Sequence, residues 1–335
     1  MSGRDALRVI VERAAFVSAS QFVVNDRAYD VPAAAGASDE HACARLEDVL
    51  YRQLYTCPSQ PGQAIAPTLL QEFVARLSAA NAGTGTYEAG WVVRQLEPDG
   101  SIAVEKDGLT VWALPHEFIP DAGGVEVGRG GWLRIGKEQR HLTPGFYFAF
   151  GDALPRGRDT QAVVRIYWHV TAAGAPPLVR AITRELNARG VPFHFKTLAD
   201  PQQYCRADAA VLYMPKPAYA DARQPLIRVV GLVKPWLRPE VPLMTKALAA
   251  GVGLAEDPGD VESSFGQHRC RLVARSLWRS FEAGRTAADE RLADARAYFA
   301  QHGLDPRRLY LQPGSRDCYA PLARGSARAH RRIAR

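Results

Sequence analysis

The sequence lacks the patterns that mark membrane, secreted and metal-binding proteins. No apolar run approaches the ~18 residues of a membrane-spanning helix, and the first residues carry charges through their apolar part, unlike a secretory signal. The five cysteines are scattered, odd in number and form no CxxC pair, which is typical of free thiols in a reducing cytosol. These absences predict a cytoplasmic protein with no metal and no redox cofactor.

Lysine is also scarce. Only six lysines stand among the 42 basic residues that give the chain its net charge of +7. Arginine therefore carries most of the charge, and a lysine within a strand pattern, Lys196, is more informative than it would be elsewhere. A basic chain favours an acidic or phosphorylated partner. Nucleic acid is not expected as a partner, because the sequence has no RRM, KH or zinc signature.

The order of the patterns predicts an α+β fold. Helical patterns cover Ala6–Phe16, Ala42–Leu54 and Thr68–Ala80, and short strand patterns with turn signals follow through residues 86–150. We therefore predict three regions. Residues 1–155 form a helical and β-rich region that positions substrate or packs around the later sheet, residues 156–323 a catalytic region, and residues 324–335 a basic, frayed tail.

The most informative stretch, residues 161–200, has a strand–helix–strand pattern. Alternating apolar residues predict a strand over Val163–Thr171. The helix that follows has apolar residues spaced four apart and ends at Gly190, a typical C-terminal glycine. A second strand then begins at Phe193. A unit of this length predicts two roughly parallel strands joined by a helix.

The alternation also predicts which side chains share a face of the sheet. Arg165, Tyr167 and His169 lie opposite the apolar residues of the first strand, and Lys196 lies opposite Phe195 in the second. If the phenylalanines face the helix, His169 and Lys196 share the other face. An imidazole and an ammonium placed together are a plausible acid and base.

A third strand, predicted over Ala209–Met214, brings further polar side chains. Tyr213 lies on the strand, and Arg206 and Asp208 come just before it. Tyr213 has two interpretations. It either contacts a bound group or packs in the core, as strand tyrosines commonly do.

A later helix begins with a capping box formed by Ser264 and Gln267. Arg269 falls on the apolar stripe of this helix. Because an arginine is rarely buried without a partner, its position predicts an anionic partner, either a carboxylate or a bound phosphate.

Three further features have competing interpretations. The GxxxxGK pattern at residues 131–137 resembles a P-loop, but Glu138 replaces the Ser or Thr that holds magnesium, which favours a β-hairpin. Arg165 and Arg271 are candidate ligands or ordinary ion-pair residues. Lys246 precedes a glycine-rich segment that either closes over a peptide or is a plain connection.

These residues carry a resemblance to a known family. The set is similar to the HopA-type bacterial effectors, to the related tailoring enzymes of ribosomal peptides such as lanthipeptides and thioamitides, and through them to phosphothreonine lyases. The resemblance extends from about Tyr147 to Trp278. The lyases carry a lysine two residues before their histidine, where this chain has Tyr167. The matching segments are RIYWHVT with His169, PFHFKTLAD with Lys196, YCRADAAVLYM with Arg206 and Tyr213, and FGQHRCR with Arg269.

The resemblance implies a lyase that eliminates phosphate from phosphoserine or phosphothreonine in a peptide, leaving dehydroalanine or dehydrobutyrine. Lys196 would be the base, His169 the acid, and Arg206, Arg269 and Tyr213 the phosphate-binding residues. No cofactor or membrane is implied; the partners would be a phosphorylated precursor peptide and a separate kinase. Two alternatives remain open, a catalytically silent peptide-binding subunit and a host-directed type III effector lyase. The further candidates are Tyr167, Arg165, Asp208, Arg271 and Lys246.

Overall fold

The computed structural model describes residues 5–32, 39–58, 67–140, 143–155, 162–260 and 263–322. Within them the chain has the predicted α+β fold, with three antiparallel sheets and flanking helices. None of the helices in these ranges is long and apolar enough to span a membrane. The predicted tail, 324–335, lies outside the described residues.

The N-terminal region differs from the prediction at its start. The first helix ends at Arg13, and a three-stranded meander replaces its predicted last turn. Asn25 and Asp26 both have positive φ (52° and 60°), the conformation of a two-residue hairpin turn. The Asn25–Asp26 pair was the sequence signal for this hairpin that the helix prediction missed. The elements are α1 (Ala6–Arg13), β1 (Ala14–Ser18), β2 (Gln21–Val24), β3 (Arg27–Asp30), α2 (Asp39–Leu50), a π-helical turn (Tyr51–Tyr55) and α3 (Pro67–Ala80).

A five-stranded sheet follows and has an apolar core of its own. Its inner face buries Trp91, Val93, Val104 and Leu133, and its strand order is β6-β5-β4-β8-β7. The GxxxxGK pattern lies in the strand at Gly130–Ile135 and the two residues after it, and the next element is a strand, not a helix, so the P-loop is excluded. The predicted β-hairpin is also wrong, because that next strand, Glu138–Gln139, pairs into a different sheet. The strands of the five-stranded sheet are β4 (Thr86–Leu96), β5 (Ile102–Lys106), β6 (Leu109–Ala113), β7 (Phe118–Pro120) and β8 (Gly130–Ile135).

The central sheet has seven strands and carries the candidate site residues. Its order is β14-β15-β11-β13-β12-β10-β9. Strands β9 and β10 precede the predicted boundary at residue 155 yet pair into this sheet. The strands are β9 (Glu138–Gln139), β10 (Phe146–Phe150), β11 (Val163–Trp168), β12 (His194–Leu198), β13 (Ala210–Pro215), β14 (Lys246–Ala249) and β15 (Val252–Glu256).

The strand–helix–strand prediction is confirmed with one addition. β11 and β12 run in the same direction, but the antiparallel β13 lies between them and pairs with both. The helix between them ends three residues before Gly190, which has the expected positive φ of 62°. β13 therefore supplies the middle row of side chains on the shared face.

Helices cover both faces of the central sheet. α4 (Ala175–Asn187) and α5 (Tyr219–Val233) pack on the face that buries Ile166, Phe195 and Leu212. The opposite face packs against α6 (Phe265–Glu282), beyond which lies α7 (Ala288–Gln301). Ser264 caps α6 through the predicted box with Gln267. The cap orients the first turn of α6 over the polar face of the sheet.

Candidate functional site

A small cavity lies on the polar face of the central sheet, beneath the start of α6 and the π-helical turn. Its volume is about 40 Å³, enough for a group the size of a few water molecules. Side chains from four strands and three other segments surround it: Tyr51, Tyr55, Phe146, Arg165, Tyr167, Lys196, Arg206, Asp208, Val211, Tyr213 and Ser264. Cations and aromatic rings predominate, so the cavity suits a small anionic group.

The strand register sets the floor of this cavity. Tyr167 of β11 pairs with Val211 of β13, which in turn pairs with Lys196 of β12. Paired residues project to the same side of a sheet, so these three side chains form one row. Tyr213 lies two residues beyond Val211 on β13 and pairs with Arg165, so these two side chains form the neighbouring row on the same face. Tyr167, and not His169, is therefore the residue of β11 that lies level with Lys196.

Lys196 is held by aromatic rings. Its Nζ lies 4.8 Å from the centre of the Phe146 ring and 5.6 Å from that of Tyr213. No carboxylate in the described part of the chain forms an ion pair with this ammonium, in contrast to the lysines at 106, 216 and 246. An amine with ring faces and no fixed counter-ion is available to a ligand in the cavity.

Both arginines of the cavity are oriented by aspartates. Arg165 contacts Asp257 through Nε and Nη2 at 2.6 Å, and its guanidinium lies 5.3 Å from the centre of the Tyr213 ring. Arg206 donates to both oxygens of the buried Asp208, at 2.5 and 2.7 Å. The aspartates fix the guanidinium planes and also offset part of their charge. The ion-pair interpretation of Arg165 is thus confirmed, and its role as a ligand stays a prediction.

Two of the tyrosines that line the cavity, Tyr55 and Tyr167, bury their hydroxyls next to each other. Neither hydroxyl has a hydrogen bond to any other described residue. Burial raises the pKa of both phenols above their ordinary range. Both groups therefore stay protonated near neutral pH and remain hydrogen-bond donors. When one hydroxyl donates to the other, one hydrogen of the pair remains for a ligand oxygen.

His169 does not line the cavity, which corrects its predicted role as an imidazolium acid. Its Nδ1 lies 3.1 Å from the carbonyl oxygen of Glu240. Because a carbonyl only accepts, Nδ1 carries the hydrogen and the buried Nε2 keeps its lone pair. Burial is the largest influence and lowers the pKa of His169, although Glu240 opposes it. The neutral ring is therefore favoured.

The buried His169 should make stability depend on pH. An unfolded histidine titrates near 6.5 and the folded one lower, so below about pH 6.5 the unfolded chain binds more protons. The stabilisation is complete above that pH and is lost as the pH falls towards the folded pKa. We expect the melting temperature to fall less steeply below pH 6.5 in His169→Gln than in the wild type, as followed by circular dichroism. Parallel curves for the two proteins would contradict this account.

Arg269 is buried as predicted, but its partners are not anionic. Its side chain is fully buried, with Nε 2.9 Å from the carbonyl oxygen of Leu309 and Nη2 3.0 Å from that of Leu311. Nη1 lies 2.8 Å from Nδ1 of His268. Burial lowers the pKa of Arg269 to about 10, so the group remains charged at neutral pH. The predicted phosphate-binding role is corrected: this guanidinium fastens the segment after α7 to α6.

Arg271 and Lys246 also lie away from the cavity. Arg271 pairs with Glu47 at 3.2 Å and Asp260 at 3.6 Å, so the ion-pair interpretation is confirmed. Lys246 pairs with Asp317 at 2.6 Å. The glycine-rich segment after it turns between β14 and β15 and joins the sheet. The structure thus confirms the interpretation of this segment as a plain connection.

The sequence-based prediction missed the wall formed by Tyr51 and Tyr55. Both lie in the π-helical turn, and their rings stack at 5.3 Å. The Tyr51 hydroxyl donates to Asp208 at 3.0 Å, which ties this wall to Arg206. Gly266 allows α6 to approach the turn, because a Cβ there would lie 2.4 Å from a ring carbon of Tyr55. The tyrosines' spacing of four residues on a helical pattern was the available signal.

No metal site accompanies this arrangement in the described ranges, where no group of three or more histidine, cysteine, aspartate or glutamate side chains is placed to hold a metal ion. The site instead belongs to an α+β protein with a partly open cavity, lined by cations and aromatic rings, on one face of an antiparallel sheet. Residues 137–311, just over half of the chain, match the HopA1 effector protein family. The chain therefore belongs to that family.

Two solved structures are similar to this chain. One is an effector protein from Pseudomonas syringae pv. tomato strain DC3000, with 17% identity, a TM-score of 0.48, and coverage of 82% of this chain and 96% of that one. The other is from Pseudomonas syringae pv. syringae strain 61, with 14% identity, a TM-score of 0.45, and coverage of 82% and 97%. No curated protein matches the chain.

Proposed function

We propose that the protein eliminates phosphate from phosphothreonine or phosphoserine in a peptide, with the cavity as the active site and Lys196 as the base. The observation that carries the proposal is the Lys196 amine, which faces a partly open cavity lined by two arginines and has no fixed counter-ion in the described ranges. The resemblance of PFHFKTLAD to the base-bearing strand of the lyases supports the same role. Arg165, Arg206 and Tyr213 surround this amine.

The reaction needs a base near Cα and donors near the phosphate. The amine of Lys196 takes the α-proton, and the electrons of that bond form the Cα–Cβ double bond. The Cβ–O bond breaks, and its electron pair leaves with the phosphate oxygen. A phosphoryl group that enters as its monoanion departs as HPO₄²⁻, so this route needs no separate acid; the second phosphate pKa, near 6, keeps some monoanion present.

The phosphate donors in this proposal differ from those implied by the resemblance. Arg165 and Arg206 remain, oriented by Asp257 and Asp208. The paired hydroxyls of Tyr55 and Tyr167 add one neutral donor in place of Arg269 and His169. Tyr167 stands where the lyases carry a lysine, so a charged donor is replaced by a hydrogen-bonding one. Such donors stabilise charge that develops on the leaving oxygens.

The biological setting is a separate part of the proposal. Membership of an effector family favours a host-directed effector that acts on a phosphorylated host protein. A tailoring enzyme that acts on a kinase-phosphorylated ribosomal peptide rests on the resemblance to lanthipeptide and thioamitide enzymes. A catalytically silent phosphopeptide-binding subunit is favoured by one observation, the engagement of Arg269 and His169 with protein groups.

A phosphothreonine peptide tests the proposal directly. We expect incubation with the protein to remove phosphoric acid and leave dehydrobutyrine, detected by mass spectrometry and by addition of a thiol across the new double bond. The unphosphorylated peptide should not change. Calorimetry on the same peptide distinguishes the alternatives. Binding without any mass change would favour the silent subunit, and hydrolysis to threonine would indicate a phosphatase and overturn the lyase.

A further inference from the structure

The five-stranded sheet presents an open edge with exposed apolar side chains. β6 is the terminal strand in the order of this sheet, so one side of its backbone is not paired with a strand in the described part of the chain. Leu109, Trp112 and Leu114, on or next to this strand, are 61%, 64% and 50% exposed. An edge of this kind is normally covered or protected by charge, because it accepts another strand.

The surroundings of this edge are acidic in an otherwise basic protein. Residues 86–135 contain eight acidic and four basic residues, whereas the whole chain has a net charge of +7. The exposed Asp107 lies in the turn before β6. At the other end, a carboxylate oxygen of Glu97 accepts a hydrogen bond from the Trp112 indole at 3.1 Å. Carboxylates thus stand at both ends of the open strand.

The cations nearest this edge are already neutralised. Lys106, whose register partner is Leu109, forms an ion pair with Glu88 at 2.9 Å. Arg94 forms an ion pair with Glu105 at 2.8 Å. The edge therefore offers an incoming segment unpaired backbone groups, one large aromatic face and a negative field.

We propose that the β6 edge binds an extended, basic peptide segment of a partner protein by strand addition. The backbone of that segment would pair with Leu109–Ala113, and alternate lysine or arginine side chains would lie over Trp112 and near Glu97. Pairing of β6 with β6 of a second copy is disfavoured, because it would bring the same carboxylates together. The proposal is independent of the elimination chemistry, since β6 belongs to a sheet with its own core and contributes no cavity residue.

A synthetic decapeptide in which lysine alternates with valine and threonine serves as the probe. We expect saturable binding to the full chain in calorimetry and slower amide hydrogen exchange at 109–113 when the peptide is present. Two control peptides match it. One has glutamate in place of lysine, and the other keeps the charge but carries prolines that prevent strand pairing. Neither should bind or protect these amides.

Two tryptophans provide matched variants, because both are exposed on the outer face of the same sheet. Trp112→Ala, on the open edge, should weaken binding about fivefold, the order expected for a lost cation–π contact. Glu97→Gln should also weaken binding of the lysine peptide, and more strongly at low salt than at high salt. Trp132→Ala, on β8, is 45% exposed in the wild type and should leave the affinity unchanged.

Three results would overturn the proposal. The first is no binding of the lysine peptide at millimolar concentration. The second is binding that Trp132→Ala weakens as much as Trp112→Ala, which would indicate general attraction to the sheet. The third is concentration-dependent dimerisation of the chain that protects 109–113 without peptide, which would assign the edge to a second copy. None of these outcomes depends on activity at the cavity.

Discussion

Lys196→Ala is expected to lower the rate of phosphate elimination by a factor of about 10²–10⁴, the usual contribution of a general base. The lost group is the amine that faces the cavity between Phe146 and Tyr213. The rate is measured by mass spectrometry on a phosphothreonine peptide, with a folded variant confirmed by its melting temperature. Lys106→Ala is the matched control, since that strand lysine lies in the five-stranded sheet and pairs with Glu88.

Lys196→Arg separates the two roles that the amine has in the proposal. A guanidinium keeps the positive charge and holds phosphate, but it does not accept a proton at neutral pH. We therefore expect this variant to bind the phosphopeptide within a few-fold of the wild type while its turnover is lost. Turnover above about 1% of wild type in either Lys196 variant would rule out Lys196 as the base.

Arg269→Ala is expected to lower the free energy of unfolding by about 3 kcal/mol or more. The substitution leaves two buried carbonyl oxygens, at Leu309 and Leu311, without their donor, and each such loss costs about 1–3 kcal/mol. Arg269→Lys should recover little of this, because one ammonium does not reproduce the fork that reaches both carbonyls. Urea unfolding followed by circular dichroism gives the values.

Arg275→Ala provides the comparison for this helix. Arg275 is exposed on α6, and its removal should change the unfolding free energy by less than about 0.5 kcal/mol. A different result would support the phosphate-binding role of Arg269 that the family resemblance implies. In that case Arg269→Ala would keep its stability and lose phosphate binding, and the guanidinium would have to leave its carbonyl partners to reach the ligand.

The sequence was informative wherever a local pattern determines the structure. Alternation predicted the two faces of β11 and β12, and the capping box predicted the start of α6. These features depend on neighbours along the chain, so they can be derived from spacing. The residues brought to one cavity by this reasoning include Lys196 and Tyr213.

The errors share a different physical origin. Arg269 found its partners forty residues later in the chain, and His169 is held by the carbonyl of Glu240. Neither contact leaves a periodic signal. The prediction placed Arg269 correctly on the core stripe of α6. A backbone carbonyl accepts hydrogen bonds from a buried arginine as an anion does, and no sequence pattern distinguishes a carbonyl partner from an anionic one. Predicting the burial of a polar group is therefore easier than predicting its partner.

Because of the π-helical turn, the cavity cannot be isolated together with the family-matching segment alone. The segment that matches the family, residues 137–311, supplies the floor of the cavity, whereas Tyr51 and Tyr55 form one wall from outside it. The first turn of α6 fits against that wall, since a Cβ at Gly266 would lie 2.4 Å from a ring carbon of Tyr55 and 2.7 Å from one of Tyr51. An excised 137–311 fragment would open the pocket to bulk water and expose Phe265. Moving this cavity into another protein therefore requires moving the tyrosine pair together with the strands.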